Sequence, residues 1–133
     1  MVGLNATLQT SKRSIEAGDF FVDLFETALE EDELITTVSF PIPEQAAYCK
    51  FPNPASGYAT VGVFVACDKP ATPQQEVRVA VTGAAGCVFR EKSMEIALGK
   101  SFSAKSLANI EIDADDFNED IHASAEYLSL IHI

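Results

Sequence analysis

Two residues of this chain have the type and spacing that suit ligand chemistry. Lys50 and Tyr58 bracket a short loop in the stretch "KFPNPASGY". Lys50 sits between Cys49 and Phe51, so packing holds its stem and its ammonium becomes a positioned point charge, useful for a phosphate or an anionic ring. Tyr58 opens the apolar run that follows; its ring can cover a flat ligand while its hydroxyl reaches a partner. Pro52 and Pro54 restrict the backbone between them, which lowers the entropy cost of holding a ligand edge. The same residues also fit an ordinary hairpin with a snorkelling lysine and an interface tyrosine.

Other chemistry finds little support. His122 and His132 lack a metal-ligand spacing such as H-x-x-x-H. No G-x-S-x-G elbow is present, and "GAAG" at Gly83–Gly86 does not match a phosphate-cradling loop. The acidic pairs Glu30–Glu31 and Asp115–Asp116 fall in loops and read as solvated charge. Cys49, Cys67 and Cys87 have no C-x-x-C spacing and read as small core thiols in a reducing compartment. The net charge of -11 over 133 residues, without any basic cluster, argues against a nucleic-acid partner. No apolar run approaches the roughly 20 residues of a membrane span. "MVGLNATLQTSKR" is not a signal peptide, so the expected address is cytoplasmic.

The elements that position Lys50 and Tyr58 follow from periodicity. Gly3–Thr10 alternates as a strand with no evident partner in the chain. A turn at "SKR" leads to a short helical turn at Ala17–Phe21 and then irregular chain. Leu34–Phe40 alternates again and is stopped by Pro41 and Pro43. Ala46–Phe51 and Tyr58–Cys67 are strands on either side of the loop. Glu76–Thr82 points Val77, Val79 and Val81 one way and Arg78, Ala80 and Thr82 the other. Phe89, Met94, Ala97 and Leu98 then recur at helical spacing before Gly99. "SAKSLANI" is a second short helix with Ser103 as N-cap, and "DIHASAEYLSLIHI" a third. Strands followed by helices predict an α+β domain: an antiparallel sheet of three or four strands with about three helices on one face. Both ends of the sequence read as cuts.

The blocks "DFF…TALEEDELITTVSFPIP", "YCKFPNPASGYATVGVFVA", "VRVAVTGAAGCVFR" and "DIHASAEYL" together resemble the C-terminal part of the FAD-binding (medium) subunit of molybdenum hydroxylases. This is the xanthine dehydrogenase and aerobic carbon monoxide dehydrogenase family, and the resemblance runs from Leu4 to Tyr127. It implies that residues 1–16 end an N-terminal FAD-binding region and its connector, and that 17–133 form the C-terminal α+β domain that closes over the flavin. The glycine-rich loops that grip FAD in such proteins have no counterpart here.

The resemblance also implies site residues. Lys50 matches the family lysine that reaches FAD from this loop. Tyr58 matches a tyrosine near the isoalloxazine in the carbon monoxide dehydrogenase branch, and Ile35 an aliphatic residue packed on the flavin in the xanthine dehydrogenase branch. A fixed cation beside a flavin stabilises negative charge on the ring, and packing tunes its potential and access. Asn53 and Gly57 replace charged residues common in relatives, and Glu16 stands where proline is usual. The implied whole is an oxidoreductase in which electrons pass from a molybdenum-cofactor large subunit, through 2Fe-2S clusters of a small subunit, to FAD and an acceptor. This chain alone is not expected to be active. The rival reading is an α+β scaffold for subunit contacts without flavin contact.

Overall fold

A computed structural model describes residues 1–110 of the chain. The acidic stretch after Ile110, the third expected helix and both histidines lie outside the described residues.

The first sheet is built by Leu8. A 3-10 turn at Val2–Leu4 ends on Asn5, whose φ of 49° reverses the chain, so the strand begins later than the alternation of Gly3–Thr10 suggests. β1 (Thr7–Thr10) then pairs antiparallel with β2 (Ser14–Glu16) on one side and with β5 (Ile35–Ser39) on the other. The opening strand therefore has two partners within the chain, contrary to the sequence expectation. Leu8 stands opposite both Ile15 and Val38 and is fully buried among Val2, Ala6, Ala17 and Phe20. Burying a leucine contributes about 2 kcal/mol. Between β2 and β5 come α1 (Ala17–Phe20) and a two-stranded hairpin, β3 (Phe21–Asp23) with β4 (Glu26–Thr27). The helical turn falls where it was expected, whereas the segment after it is a hairpin rather than irregular chain.

A loop behind that hairpin is closed by one carboxylate. Glu33 is buried and accepts from Arg13 Nε at 3.1 Å, from Thr10 Oγ1 at 2.6 Å and from the Glu30 amide at 2.8 Å. The Arg13 hydrogen bond, then those from Thr10 and Glu30, hold its pKa down at about 2.

The second sheet runs in strict sequence order, β6 (Gln45–Pro52), β7 (Ala59–Asp68), β8 (Glu76–Thr82) and β9 (Phe89–Arg90), all antiparallel. α2 (Lys92–Lys100) covers one face with Met94 and Leu98, which pack on Cys67, Val77 and Val79. Glu95 ties the helix to the sheet by accepting from the Val79 amide at 3.0 Å and from Arg90. A 3-10 turn, Ala104–Leu107, follows in place of the second short helix, with Ser103 at its N-cap and Ser103 Oγ 3.0 Å from Ser106 Oγ. The architecture is thus the expected α+β arrangement, an antiparallel sheet with helical structure after it on one face.

The opposite face of this sheet receives the N-terminal turn. Arg78, only 3% exposed, donates to the Gly3 carbonyl at 3.1 Å and pairs with Asp68 at 2.5 Å and Glu76 at 3.2 Å. Its hydrogen bond holds the Asp68 carboxyl below the ordinary carboxylate range. Gly3 itself lies on the Phe64 ring, where a Cβ would come within 2.5 Å. The two sheets are thereby docked through the beginning of the chain. Among the described residues no helix is long and apolar enough to cross a membrane.

Candidate functional site

Residues Asn53–Gly57 form a tight turn closed by one backbone hydrogen bond of helical i to i+4 spacing. Asn53 acts as its N-cap, Oδ1 accepting from the Ala55 amide at 2.9 Å and the Ser56 amide at 3.2 Å. Pro54 occupies the first helical position, where its missing N–H costs nothing. Gly57 ends the turn with φ +72°, the left-handed conformation that favours glycine, and its amide donates to the Asn53 carbonyl at 2.8 Å. The Asn53 amide in turn donates to the Tyr58 carbonyl at 2.7 Å, so the loop closes on itself at the mouth of β6 and β7. Asn53 and Gly57 are the residues that build it.

Lys50 completes the unit. Its Nζ donates to the Gly57 carbonyl at 2.8 Å, at the end of the turn where carbonyls lack partners. Among the described residues Lys50, like Lys69, Lys100 and Lys105, makes no ion pair, whereas Lys12, Arg13, Arg78, Arg90 and Lys92 each meet a carboxylate; Lys50 differs from the other three in being fixed by the loop carbonyl. An ammonium has three donors. One is committed to the loop, and the full positive charge stays exposed beside it. Tyr58 follows directly, 79% exposed as a residue, while its amide donates to Ser56 Oγ at 3.3 Å. The backbone of the tyrosine is fixed and its ring is presented.

Ile35 stands apart. It lies on β5 of the first sheet, opposite Thr10 and 43% exposed. The chain between β5 and β6 carries Pro41 and Pro43, and the Glu44 amide donates to Asp68 Oδ1 at 3.2 Å. The structure therefore joins Lys50 and Tyr58 in one loop and leaves Ile35 on the neighbouring sheet.

Tyr48 was not singled out from the sequence. It shares the Lys50 face of β6 by strand alternation, and its ring crosses Gly62 on β7, where a Cβ would overlap the phenol. Tyr48, Gly62, Phe64 and Thr82 line one side of an open apolar cleft of about 270 Å³, with residues of the N-terminal turn on the other side. Gly62 within the apolar run Tyr58–Cys67 carried the signal, since a glycine inside a strand marks a close approach. Among the described residues no cluster of His, Cys, Asp and Glu side chains is arranged to hold a metal ion. Of the three cysteines read as core thiols only Cys67 is buried, and burial raises its pKa, whereas Cys49 is exposed on β6 and Cys87 half-buried.

No family model matches the chain. It is 34% identical over 121 residues to the nicotine 6-hydroxylase medium subunit of Paenarthrobacter nicotinovorans, an alignment covering 87% of this chain and 43% of that protein. It is 28% identical over 123 residues to the carbon monoxide dehydrogenase medium chain of Hydrogenophaga pseudoflava, with the same coverage of 87% and 43%. The chain thus spans less than half the length of these curated relatives. Reconstituted CO dehydrogenase from Oligotropha carboxidovorans superimposes with a TM-score of 0.82 over 98% of this chain and 50% of that one. At 21% identity, that likeness speaks to the fold alone.

Proposed function

The chain belongs to the FAD-binding medium-subunit family of the molybdenum hydroxylases, and on that premise we propose that its Lys50–Tyr58 loop forms one wall of a flavin site. The observation that carries this reading is the state of Lys50. Its ammonium is pinned by a backbone carbonyl and, among the described residues, meets no carboxylate. A cation held in that way is prepared for an anionic ligand group.

The residues present fit one wall of such a site and not the whole of it. The seven glycines are scattered and form no phosphate-gripping loop, so the remainder of the FAD contact belongs to the part of the subunit outside this sequence. On this reading residues 1–16 end that FAD-binding region and residues 17–133 form the closing domain. Bound FAD supplies the redox chemistry, accepting electrons and passing them to an acceptor. Lys50 contributes positive charge, Tyr58 a flat face for packing, and Ile35 an aliphatic contact that excludes water if the ligand reaches across both sheets. The partners are a molybdenum-cofactor large subunit and an iron–sulfur small subunit, in a cytoplasmic oxidoreductase.

The test uses the full-length subunit containing this sequence. Lys50→Ala should weaken FAD binding by about 10-fold, the worth of a hydrogen bond to a charged group, and shift the flavin potential to a more negative value. Tyr58→Ala should weaken binding to a lesser degree. Unchanged affinity and potential in both variants would favour the rival reading, a scaffold in which Lys50 serves only to close its own loop.

A further inference from the structure

The phenol of Tyr48 stands where another side chain would be. Tyr48 pairs across the ladder with Phe64, yet its ring leans diagonally onto Gly62, two positions nearer the loop. A Cβ at Gly62 would overlap the Tyr48 hydroxyl and lie 2.9 Å from Cζ. The hydroxyl therefore fills the slot that the glycine leaves empty. Gly62 is the cross-strand partner of Lys50 on β6 and of Thr82 on β8, and directly paired residues carry their Cβ positions about 5 Å apart on one face. A lysine, a phenol hydroxyl and a threonine thus follow one another in a single row across three strands.

This row offers donors that nothing in the described residues uses. Neither the Tyr48 hydroxyl nor Thr82 Oγ1 has a hydrogen-bond partner there. On β6 to β8 the carboxylates of the same face are Asp68 and Glu76, both at the far end of the sheet and both engaged with Arg78. Tyr48 is half-exposed, so its hydroxyl is within reach of a ligand. We propose that Tyr48 is a ligand-binding residue of the flavin site, its hydroxyl donating to an oxygen of FAD next to the group that Lys50 meets, with Thr82 as a further donor of the row. The inference rests on the reading of Lys50 as part of a flavin wall, and it extends that wall from the loop onto the face of the sheet. A fixed cation flanked by hydroxyls, with no carboxylate among them, complements a ligand rich in acceptors. The oxygens of FAD that answer to this are those of the diphosphate and those of the ring carbonyls. Because the phenol rests on glycine backbone, its hydroxyl is in position before a ligand arrives.

The experiment uses the full-length subunit containing this sequence and measures its affinity for FAD, ADP and riboflavin, together with the melting temperature of the FAD-free protein. Tyr48→Phe should weaken FAD binding by about 10-fold, the worth of a hydrogen bond to a charged group, and Thr82→Val by about threefold. Neither should lower the melting temperature of the FAD-free subunit, since neither removes a hydrogen bond within the protein. A matching loss for ADP in Tyr48→Phe supports the inference with the diphosphate as acceptor, and a matching loss for riboflavin supports it with the ring. Unchanged FAD affinity in Tyr48→Phe, with Lys50→Ala weakened, overturns the inference and leaves the flavin-wall reading standing. A lowered melting temperature of FAD-free Tyr48→Phe also overturns it, because the hydroxyl then meets the rest of the subunit's own chain. Unchanged affinity in both Tyr48→Phe and Lys50→Ala removes the inference and the reading beneath it.

Discussion

Lys50 and Gly57 are joined by one hydrogen bond, ammonium to carbonyl at 2.8 Å, across seven positions of chain. The bond ties the end of strand β6 to the residue before Tyr58, so the cation and the backbone of the tyrosine are held together. Any ligand that meets Lys50 meets a loop already in place, and the cost of ordering it has been met in folding.

That preorganisation depends on Asn53. Replacing it with alanine removes the side-chain acceptor of the Ala55 and Ser56 amides, a loss of about 1 kcal/mol for an N-cap. Hydrogen exchange at those two amides should accelerate roughly fivefold, while exchange at Val79 and Val81 on β8 stays unchanged. Equal rates in the Asn53→Ala protein would show that the turn is held by Pro54 and Gly57 without the cap.

Tyr48 and Gly62 should prove energetically coupled. Gly62→Ala places a methyl group in the Tyr48 ring and should destabilise the domain by about 1–3 kcal/mol through overpacking. Combining it with Tyr48→Ala removes the obstacle, so the double variant should be more stable than the sum of the singles predicts. Urea unfolding of the four proteins measures this, and strict additivity would contradict the observed close approach.

Glu33 gives the first sheet a specific acid sensitivity. Its pKa in the fold, about 2, lies below the ordinary 4.5. The contribution of the clip to Arg13 and Thr10 is therefore fully present above pH about 4.5 and is lost as the pH falls towards about 2. Glu33→Gln should lower stability at neutral pH and flatten its dependence on pH across that window. Parallel curves for the two proteins would mean that other carboxylates carry the acid transition.

Arg78 should matter more than its place in a strand suggests. Arg78→Leu keeps the volume but leaves the Gly3 carbonyl without its donor and Asp68 with the Glu44 amide but no ion pair, at a cost of about 2 kcal/mol. The Asp68 carboxyl should titrate at higher pH once the guanidinium is gone. Arg78→Lys should not restore stability, since a single ammonium cannot reproduce the forked contacts. The pH titration of Asp68 followed by NMR, together with thermal unfolding, checks both statements.

The second sheet was legible in the sequence because its signals are local. Val77, Val79 and Val81 alternate along β8, Met94 and Leu98 sit one helical turn apart, and the observed bounds of β8 coincide with the expected Glu76–Thr82. The first sheet was not, because β2 has three residues and β5 lies far along the chain from β1; periodicity carries no information about which distant strand is the partner. The Lys50–Tyr58 loop was readable as stiff, and the Asn-Pro pair with glycine three residues after the proline carried the further signal of a capped turn. Arg78 was placed on the correct face, but its burial was hidden. Alternation identifies a face without saying that the N-terminal turn covers it.

The strand order has a consequence for how the molecule comes to be folded. β6 to β9 join only neighbours in sequence, whereas β1 must wait for β5, with a helical turn and a hairpin between them. Contacts between distant segments form more slowly because closing the intervening chain costs entropy before any pairing repays it. The sheet bearing Lys50 and Tyr58 is therefore expected to form first, and to serve as the surface on which the N-terminal turn and the Leu8 core assemble through Arg78. Pulse-labelling during refolding should find the amides of Val63 and Val79 protected before that of Leu8, and simultaneous protection would place both sheets in one nucleus.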